Sequence, residues 1–329
     1  MIRSGALCVL VAVVCAGVCS AAEPEVLEVR QIWGKAPHSA FTDLIRYDGR
    51  WFCTFREGQG HVSPDGSIRV ITSRDSVEWD SAAHITSDTA DLRDPKLCVA
   101  EDGRLMLNAA AAPHKPREEA RISLVWFSEN GRDWTDAVRV IDDKSIWLWR
   151  VTWHEGKAYG TGYWSGGGPE EQRQVHLYRS ETGKEFTKWV PGLFTKGFPN
   201  EATLRFLEDD TALCLLRRDG SGGTAQIGRS EPPYKEWTWK DTGVKVGGPN
   251  FIRLPDGRFV AAVRLYDGGA RTALCWMDPE AGTLKEFLKL PSGGDTSYAG
   301  LVWHDGLLWV SYYSSHEGKT RIYVAKVKI

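Results

Sequence analysis

Apolar runs recur in pairs along the chain, each pair split by a polar turn. They read "FTDLIRYDGRWFCTFRE", "DPKLCVAEDGRLMLNAA", "RVTWHEGKAYGTGYW", "ATLRFLEDDTALCLLRR", "NFIRLPDGRFVAAVRLY" and "AGLVWHDGLLWVSYYSS". Alternation with a period of two marks half-buried strands, and Asp-Gly between two such runs marks a hairpin. The turn residues Gly49, Gly103, Gly156, Asp210, Gly257 and Gly306 stand 54, 53, 54, 47 and 49 residues apart. A third strand follows most hairpins, and after it a serine-led motif: "SRDSVEW" from Ser73, "SENGRDW" from Ser128, "SETGKEF" from Ser180 and the looser "SEPPYKEW" from Ser230. Serine, a polar turn residue and a ring at near-fixed offsets suit a tight turn locked by side-chain to backbone hydrogen bonds, with the ring packed beneath.

Six units of about fifty residues, each with three or four strands, predict an all-β fold, a six-bladed β-propeller. The regular spacing favours it over a two-sheet sandwich, and no helical pattern interrupts it. "RIYVAKVKI" at the C-terminus is a strand with no partner after it, and "EVLEVRQIW" is a strand before the first hairpin. Pairing the two in the last blade would close the ring and hide both edges.

The N-terminus changes the picture of where the chain works. Residues 1–22 have a basic start at Arg3, an apolar run from Ala6 to Val18 and small residues at the end, the layout of a secretory signal peptide cleaved near Ala21 or Ala22. A lipid-attachment reading is weaker, because valines precede Cys15 and Cys19. Residues 23–329 then form one propeller domain. With no second long apolar run, that domain is expected to be a soluble monomer, secreted or periplasmic, without a membrane partner.

Composition adds exclusions. The formal net charge is −2 and no basic cluster occurs, which argues against nucleic acid as a partner. Cys53, Cys98, Cys214 and Cys275 are scattered through apolar strands without CxxC spacing and read as buried free thiols. The chain has 15 tryptophans, enough to serve both β-cores and flat sugar-binding surfaces. HExxH and other tight His/Cys spacings are absent, so neither a metal nor a cofactor is expected. The glycine-rich "YWSGGGPEE" and "RRDGSGGTA" lack phosphate-loop and dinucleotide patterns and read as loops, and no GxSxG element occurs.

The serine-led turns resemble the Ser-x-Asp-x-Gly-x-x-Trp "Asp box" of sialidases and related propellers, in a shorter and degenerate form. Such boxes are structural and bear on the fold alone. Four other segments resemble sialidases more specifically. Asn200-Glu201 followed by Arg217 is similar to the segment that carries the family's catalytic glutamate and an arginine. "SYAGLVWHDGLLWVSYY" is similar to the segment with the nucleophilic tyrosine, which places it at Tyr298. "RTALCWMD" resembles the strand with the third arginine, giving Arg271, and "RDPKL" a family Asp-Pro segment at Asp94. The resemblance implies an exported exo-glycosidase that removes a terminal acidic sugar from glycans with retention. Two departures stand out. Where sialidases have Arg-Ile-Pro in the first blade, this chain has "PHSAFTDL", with His38 or Ser39 in the arginine's place. Where they have the acid/base aspartate, the loop "FREGQGHVSPDGS" brings His61 to that position, with Glu57 and Asp65 nearby.

The residues support a matching chemistry on their own. In a hairpin centred on Asp209, Glu201 and Arg217 face each other across the strands, about 5 Å apart at Cβ. A plain cross-strand salt bridge would look the same. A neutral phenol suits attack on a sugar with a carboxylate near its anomeric carbon, because a carboxylate nucleophile would be repelled, and Glu201 would accept its proton. Arg217 and Arg271 would clamp the anionic group through bidentate forks. Arg93 or Arg56 could replace the missing arginine, with Arg150 a lesser candidate. His61, Asp65 and Glu57 compete as general acid, His61 having the more suitable ordinary pKa. The alternatives are a propeller lyase or hydrolase acting on uronate-containing polysaccharide, and a glycan-binding propeller without catalysis.

Overall fold

The computed structural model describes residues 1, 23–167, 169 and 172–329. Residues 2–22 of the segment read as a signal peptide lie outside the described residues. No helix of the described residues is long and apolar enough to cross a membrane.

The chain runs through β1 (Glu25–Trp33), then β2 (His38–Tyr47), β3 (Arg50–Gly58), β4 (Ser67–Ser73) and β5 (Asp80–Ile85) as blade 1. Blade 2 is β6 (Ala90–Val99), β7 (Leu105–Pro113), β8 (Ile122–Ser128) and β9 (Val138–Arg139). Blade 3 is β10 (Ile146–His154), β11 (Lys157–Trp164), β12 (Val175–Ser180) and β13 (Thr187–Phe194). Blade 4 is β14 (Pro199–Phe206), β15 (Ala212–Arg218), β16 (Gln226–Ser230) and β17 (Thr238–Asp241). Blade 5 is β18 (Gly247–Arg253), β19 (Phe259–Leu265), β20 (Arg271–Asp278) and β21 (Thr283–Lys289). Blade 6 is β22 (Thr296–His304), β23 (Leu307–Ser314), β24 (Arg321–Lys328) and, on its outer edge, β1.

The first strand of each blade packs against its counterparts on both sides, so six antiparallel sheets close into the expected six-bladed propeller. The N-terminal strand closes the ring as the unpaired strands at the two ends predict, with Glu25 opposite Lys328 and Val29 opposite Ala325. Asp48-Gly49, Glu155-Gly156 and Asp305-Gly306 have positive φ at both central residues, the type I′ geometry that suits strand twist. The serine-led turns also form as expected. Ser73, Ser128 and Ser180 each accept the amide three residues on at 2.8 Å, and the Trp79 and Trp134 indoles close back onto turn carbonyls. All four cysteines of the described residues are free.

The innermost strands β2, β6, β10, β14, β18 and β22 share a feature that alternation does not reveal. Each has a register shift against its hairpin partner: Ala40/Asp43, Arg93/Lys96, Leu148/Val151, Pro199/Ala202, Gly247/Asn250 and Ser297/Gly300. A bulge re-aims a side chain and leaves backbone groups unpaired. Polar side chains of neighbouring blades take up those carbonyls. Thr42 donates to Tyr298 O (2.8 Å), Asn250 to Ala299 O (2.9 Å), Thr203 to Pro249 O (2.7 Å), Thr161 to Ala202 O (2.8 Å) and Asn108 to Trp149 O (3.0 Å). This explains the buried threonines and asparagines of the first and second strands, which would otherwise be costly there. Deeper in the channel, Arg150 forms a bidentate pair with Asp43 (2.8 and 3.1 Å), so it is committed to holding blade 3 against blade 1.

Candidate active site

Four of the six bulges bring Phe41, Trp149, Gly248 and Tyr298 together at one end of the channel. The Tyr298 ring lies 5.2 Å from Phe41 and 5.8 Å from Trp149 between centroids, both edge-on. A Cβ on Gly248 would come within 2.8 Å of Tyr298 Cγ and Cδ2. Ser297 and Tyr298 have φ of 89° and 52°, uncommon for residues with side chains. The strained backbone is held by its neighbours and turns the Tyr298 hydroxyl toward blade 4.

There the Tyr298 hydroxyl donates to Glu201 Oε1 at 2.7 Å. Arg217 Nη1 lies 2.9 Å from Tyr298 Oη and 2.8 Å from Glu201 Oε2, and the Gly248 amide donates to Glu201 Oε2 at 2.9 Å. The register expected for this hairpin holds from Phe206 opposite Ala212 to Ala202 opposite Leu216. Beyond that the bulge intervenes, yet Glu201 and Arg217 still meet. Burial and the Glu201 carboxylate push the Tyr298 phenol well above its ordinary pKa, against the pull of Arg217 and Arg264. A buried neutral phenol hydrogen-bonded to a carboxylate can lose its proton only as another charge develops at its oxygen.

On the other side of the Phe41 ring stands His61, 5.1 Å between centroids. Its Nδ1 lies 2.7 Å from Asp295 Oδ2, and His38 Nε2 approaches the same oxygen at 3.1 Å. The other oxygen of Asp295 accepts from Tyr313 (2.8 Å) and Arg264 (3.2 Å). Burial disfavours the Asp295 charge, but the bonds from His38, His61 and Tyr313 outweigh it and hold the carboxyl well below the usual range. The His61 side chain is about half exposed (49%), so its Nε2 edge is reachable from outside. The donor atoms of His38, His61 and Asp295 lie within 4.8 Å of one another, a set of two imidazoles and a carboxylate that could hold a divalent metal. Arg264 on the same carboxylate already supplies positive charge.

The other residues singled out from sequence separate. Asp65 is exposed and accepts the Gln59 amide (3.1 and 3.2 Å), so it fastens its own loop. Glu57 is taken by Trp33 Nε1 (2.6 Å) and Arg69 (2.8 Å). Arg56 is fully buried, paired with Asp91 at 2.7 Å and bonded to Gly60 O and Ser63, so it is a strut for the 58–66 loop and not the replacement arginine. Arg93 pairs with Asp91 (3.2 Å) and lies over the Phe41 ring at 5.4 Å, on the channel side. Asp94 is buried beside Arg93 and Lys96, and burial raises its pKa. His38 is bound to Asp295 through Nε2 at 3.1 Å.

Arg271 is a correction. It sits on the third strand of blade 5, paired with Glu286 (2.9 Å) and Asp267, and it does not reach Tyr298. The second guanidinium beside Tyr298, after that of Arg217, belongs to Arg264, 5.2 Å from the ring centroid. Arg264 ends the second strand of its blade as Arg217 does. It follows Arg217 by 47 residues, the same offset as from Asp210 to Gly257. That repeat offset was the available signal. Asp295 had none, since only the closed ring brings it to His61, 234 residues away in sequence.

A cavity of about 280 Å³ opens beside this cluster, between blades 3 and 4. Glu201, Arg217, Asn200 and Asp219 form one wall, and Arg121, Trp147, Tyr163, Trp164 and Arg173 stand across from them.

No family model and no curated protein matches the chain. Solved structures do. An α-L-arabinanase from Penicillium chrysogenum complexed with arabinobiose has a TM-score of 0.69 at 12% identity, over 91% of this chain and 98% of that one. An α-L-arabinofuranosidase from Fusarium graminearum with an iminosugar inhibitor has a TM-score of 0.69 at 13% identity, over 92% and 97%. The Trypanosoma rangeli sialidase in complex with the inhibitor DANA has a TM-score of 0.68 at 13% identity, over 88% of this chain and 55% of that one. At these identities the likeness establishes the fold, a six-bladed β-propeller.

Proposed function

We propose that the protein is a glycoside hydrolase that releases a terminal acidic sugar from a glycan with retention of configuration. Tyr298 is the nucleophile, Glu201 its base and His61 the general acid. The observation that carries the reading is the buried Tyr298–Glu201–Arg217 triangle, with Tyr298 Oη 2.7 Å from Glu201 and 2.9 Å from Arg217. Structural neighbours that act on glycans, arabinanase, arabinofuranosidase and sialidase among them, support a glycosidase in general. The apolar leader of the sequence supports a substrate met outside the cytoplasm.

In the first step the Tyr298 oxygen attacks the anomeric carbon and its proton passes to Glu201. Arg217 stabilises the charge developing on the oxygen. His61, held by Asp295 through Nδ1, gives a proton from Nε2 to the departing glycosidic oxygen. In the second step His61 Nε2 takes a proton from water, the hydroxide attacks the anomeric carbon, and the Tyr298 phenolate leaves and recovers its proton from Glu201. Arg217 and Arg264 flank Tyr298 and Arg93 stands over Phe41, so these guanidinium groups would receive the substrate carboxylate.

The test is a screen of the protein on acidic glycans and aryl glycosides, with Tyr298→Phe and Glu201→Gln alongside and NMR of the first anomer released. The expected result is turnover lost in both variants and retention in the wild type. Unchanged turnover in both variants, an inverted product, or an unsaturated product absorbing in the ultraviolet would each overturn the mechanism.

A further inference from the structure

The cavity between blades 3 and 4 has a lining that the reaction at Tyr298 does not use. Arg121 lies over the Trp147 ring at 5.0 Å, and Arg173 lies over Phe198 at 4.9 Å. The Nε atoms of both arginines, and the indole nitrogens of Trp147 and Trp164, are buried and have no hydrogen-bond partner. All four are donors and none can accept. Buried donors without acceptors are unfavourable and uncommon in folded proteins, and the guanidinium groups of Arg121 and Arg173, which line the cavity, have no carboxylate acceptor.

The carboxylates of the cavity do not supply it. Glu201 is held by Tyr298, Arg217 and the Gly248 amide. Asp219 is held by Arg217 Nε (2.9 Å) and Asn200 (2.8 Å). Among the described residues neither Arg121 nor Arg173 has an ion-pair partner. Burial and the nearby Arg93 lower the pKa of Arg121, the environment of a cation placed among cations. An entering anion would relieve that repulsion. The remaining walls are aromatic: Trp147 and Tyr163, stacked on each other at 5.8 Å, and Trp164. The volume of about 280 Å³ falls just under the ~300–1,000 Å³ typical of drug-sized sites, which limits the occupant to about one sugar unit.

We propose that this cavity is a second anion subsite, which seats one sugar unit carrying a carboxylate or a sulfate ester. The inference rests on the glycosidase reading of the Tyr298 site and narrows its substrate class to glycans charged at more than one position. Arg217 links the two sites, its Nη1 facing Tyr298 and its Nε facing the Asp219 wall of the cavity.

The experiment measures binding and leaves catalysis out. The full chain carrying Tyr298→Phe is titrated calorimetrically with an unsulfated uronate-containing tetrasaccharide, its sulfated counterpart and a neutral tetrasaccharide of similar length. Arg121→Gln and Arg173→Gln are then added one at a time, with Arg132→Gln on an exposed outer turn as control. The charged sugars are expected to bind at least tenfold more tightly than the neutral one, and each cavity variant to remove at least tenfold of that preference, with the control unaffected. Binding of both charged sugars assigns the subsite to the carboxylate, and binding of the sulfated one alone assigns it to the ester. Equal affinity for charged and neutral sugars, no binding of any of them, or equal weakening by Arg132→Gln would overturn the proposal. Arg121→Lys keeps the charge but loses the fork, and it should fall between wild type and Arg121→Gln if the melting curve shows an intact fold. Turnover lost in Tyr298→Phe without any preference for charge would refute the subsite and leave the glycosidase reading standing. A charge preference with turnover intact in Tyr298→Phe would do the reverse.

Discussion

Gly248→Ala tests the geometry of the site through a residue that takes no part in the chemistry. Gly248 has φ +56°, and a Cβ there would lie 2.8 Å from Tyr298 Cγ and Cδ2 and 3.1 Å from its Cα. A left-handed alanine costs about 1–2 kcal/mol. The overlap adds about 1–3 kcal/mol, the usual range for overpacking a closed core, because the neighbour is a ring and its own backbone and not the end of a flexible chain. The sum is about 2–5 kcal/mol. Gly243 is the control: its φ is +69°, but nothing lies within 4 Å of an added Cβ. Gly243→Ala should therefore lose only the backbone part, about 1–2 kcal/mol. Urea denaturation of the two variants isolates the contact with Tyr298. Displacing the ring by a fraction of an ångström also misplaces its hydroxyl against Glu201, so turnover should fall by up to about a hundredfold in Gly248→Ala and stay unchanged in Gly243→Ala. Equal stability of the two variants, or full activity in Gly248→Ala, would refute the account of how Tyr298 is held.

Three further outcomes follow from the same structure. Arg150→Met leaves the buried Asp43 carboxylate with the Leu97 amide (2.8 Å) but no counter-charge and should cost about 3–5 kcal/mol by thermal denaturation, while Asp43→Asn with Arg150→Met, which can still accept that amide, should recover most of it; a single-variant loss under about 1 kcal/mol would remove the argument. Burial brings His176 down from its ordinary 6.5 to about 4, so it stays neutral in the fold while the unfolded chain takes up the proton. Stability should then fall between pH 6.5 and 4 by up to about 2 kcal/mol, discounted for partial exposure, and His176→Gln, which can still accept the Gly192 amide, should flatten that limb in pH-dependent unfolding. Tyr298→Phe should leave stability within about 1 kcal/mol, since Arg217 and Gly248 still hold Glu201, and a larger loss in calorimetry would show the hydroxyl to be structural.

Strands, turns and ring closure were legible because each depends on a local rule: period two, a positive-φ turn residue, and an end strand that needs a partner. The hairpin register around Asp209 was legible for the same reason as far as Ala202. The bulge at Glu201 was not, because one extra residue in a strand buried on both faces leaves no mark on an alternation that is already weak. The six bulges decide which side chains enter the channel. The meeting of Glu201 with Arg217 followed from the hairpin register and Tyr298 was named from a resemblance, while Gly248 and Thr42, which hold Tyr298, left no local signal. Arg271 was chosen because "RTALCWMD" resembles a sialidase strand, where the spacing between blades points to Arg264. The cavity of Arg121 and Arg173 joins loops and strands of blades 2, 3 and 4, and no local pattern announces such a meeting.

The pairing of β1 with β24 also has a consequence for the order in which the molecule can be made. Glu25 faces Lys328, so β1 is synthesised long before β24, the strand it pairs with. Until then blade 6 lacks its outer strand, and the exposed backbone of β1 is open to any other unpaired edge. Closing the ring costs only the slowly growing entropy of a long loop, so length is no great obstacle to stability. Timing is the exposed point. Because the two ends lie side by side, a short linker could join them and new termini could open between blades 2 and 3. That permuted chain would keep every contact of the native ring and move the vulnerable interval of synthesis away from the blade that carries Tyr298.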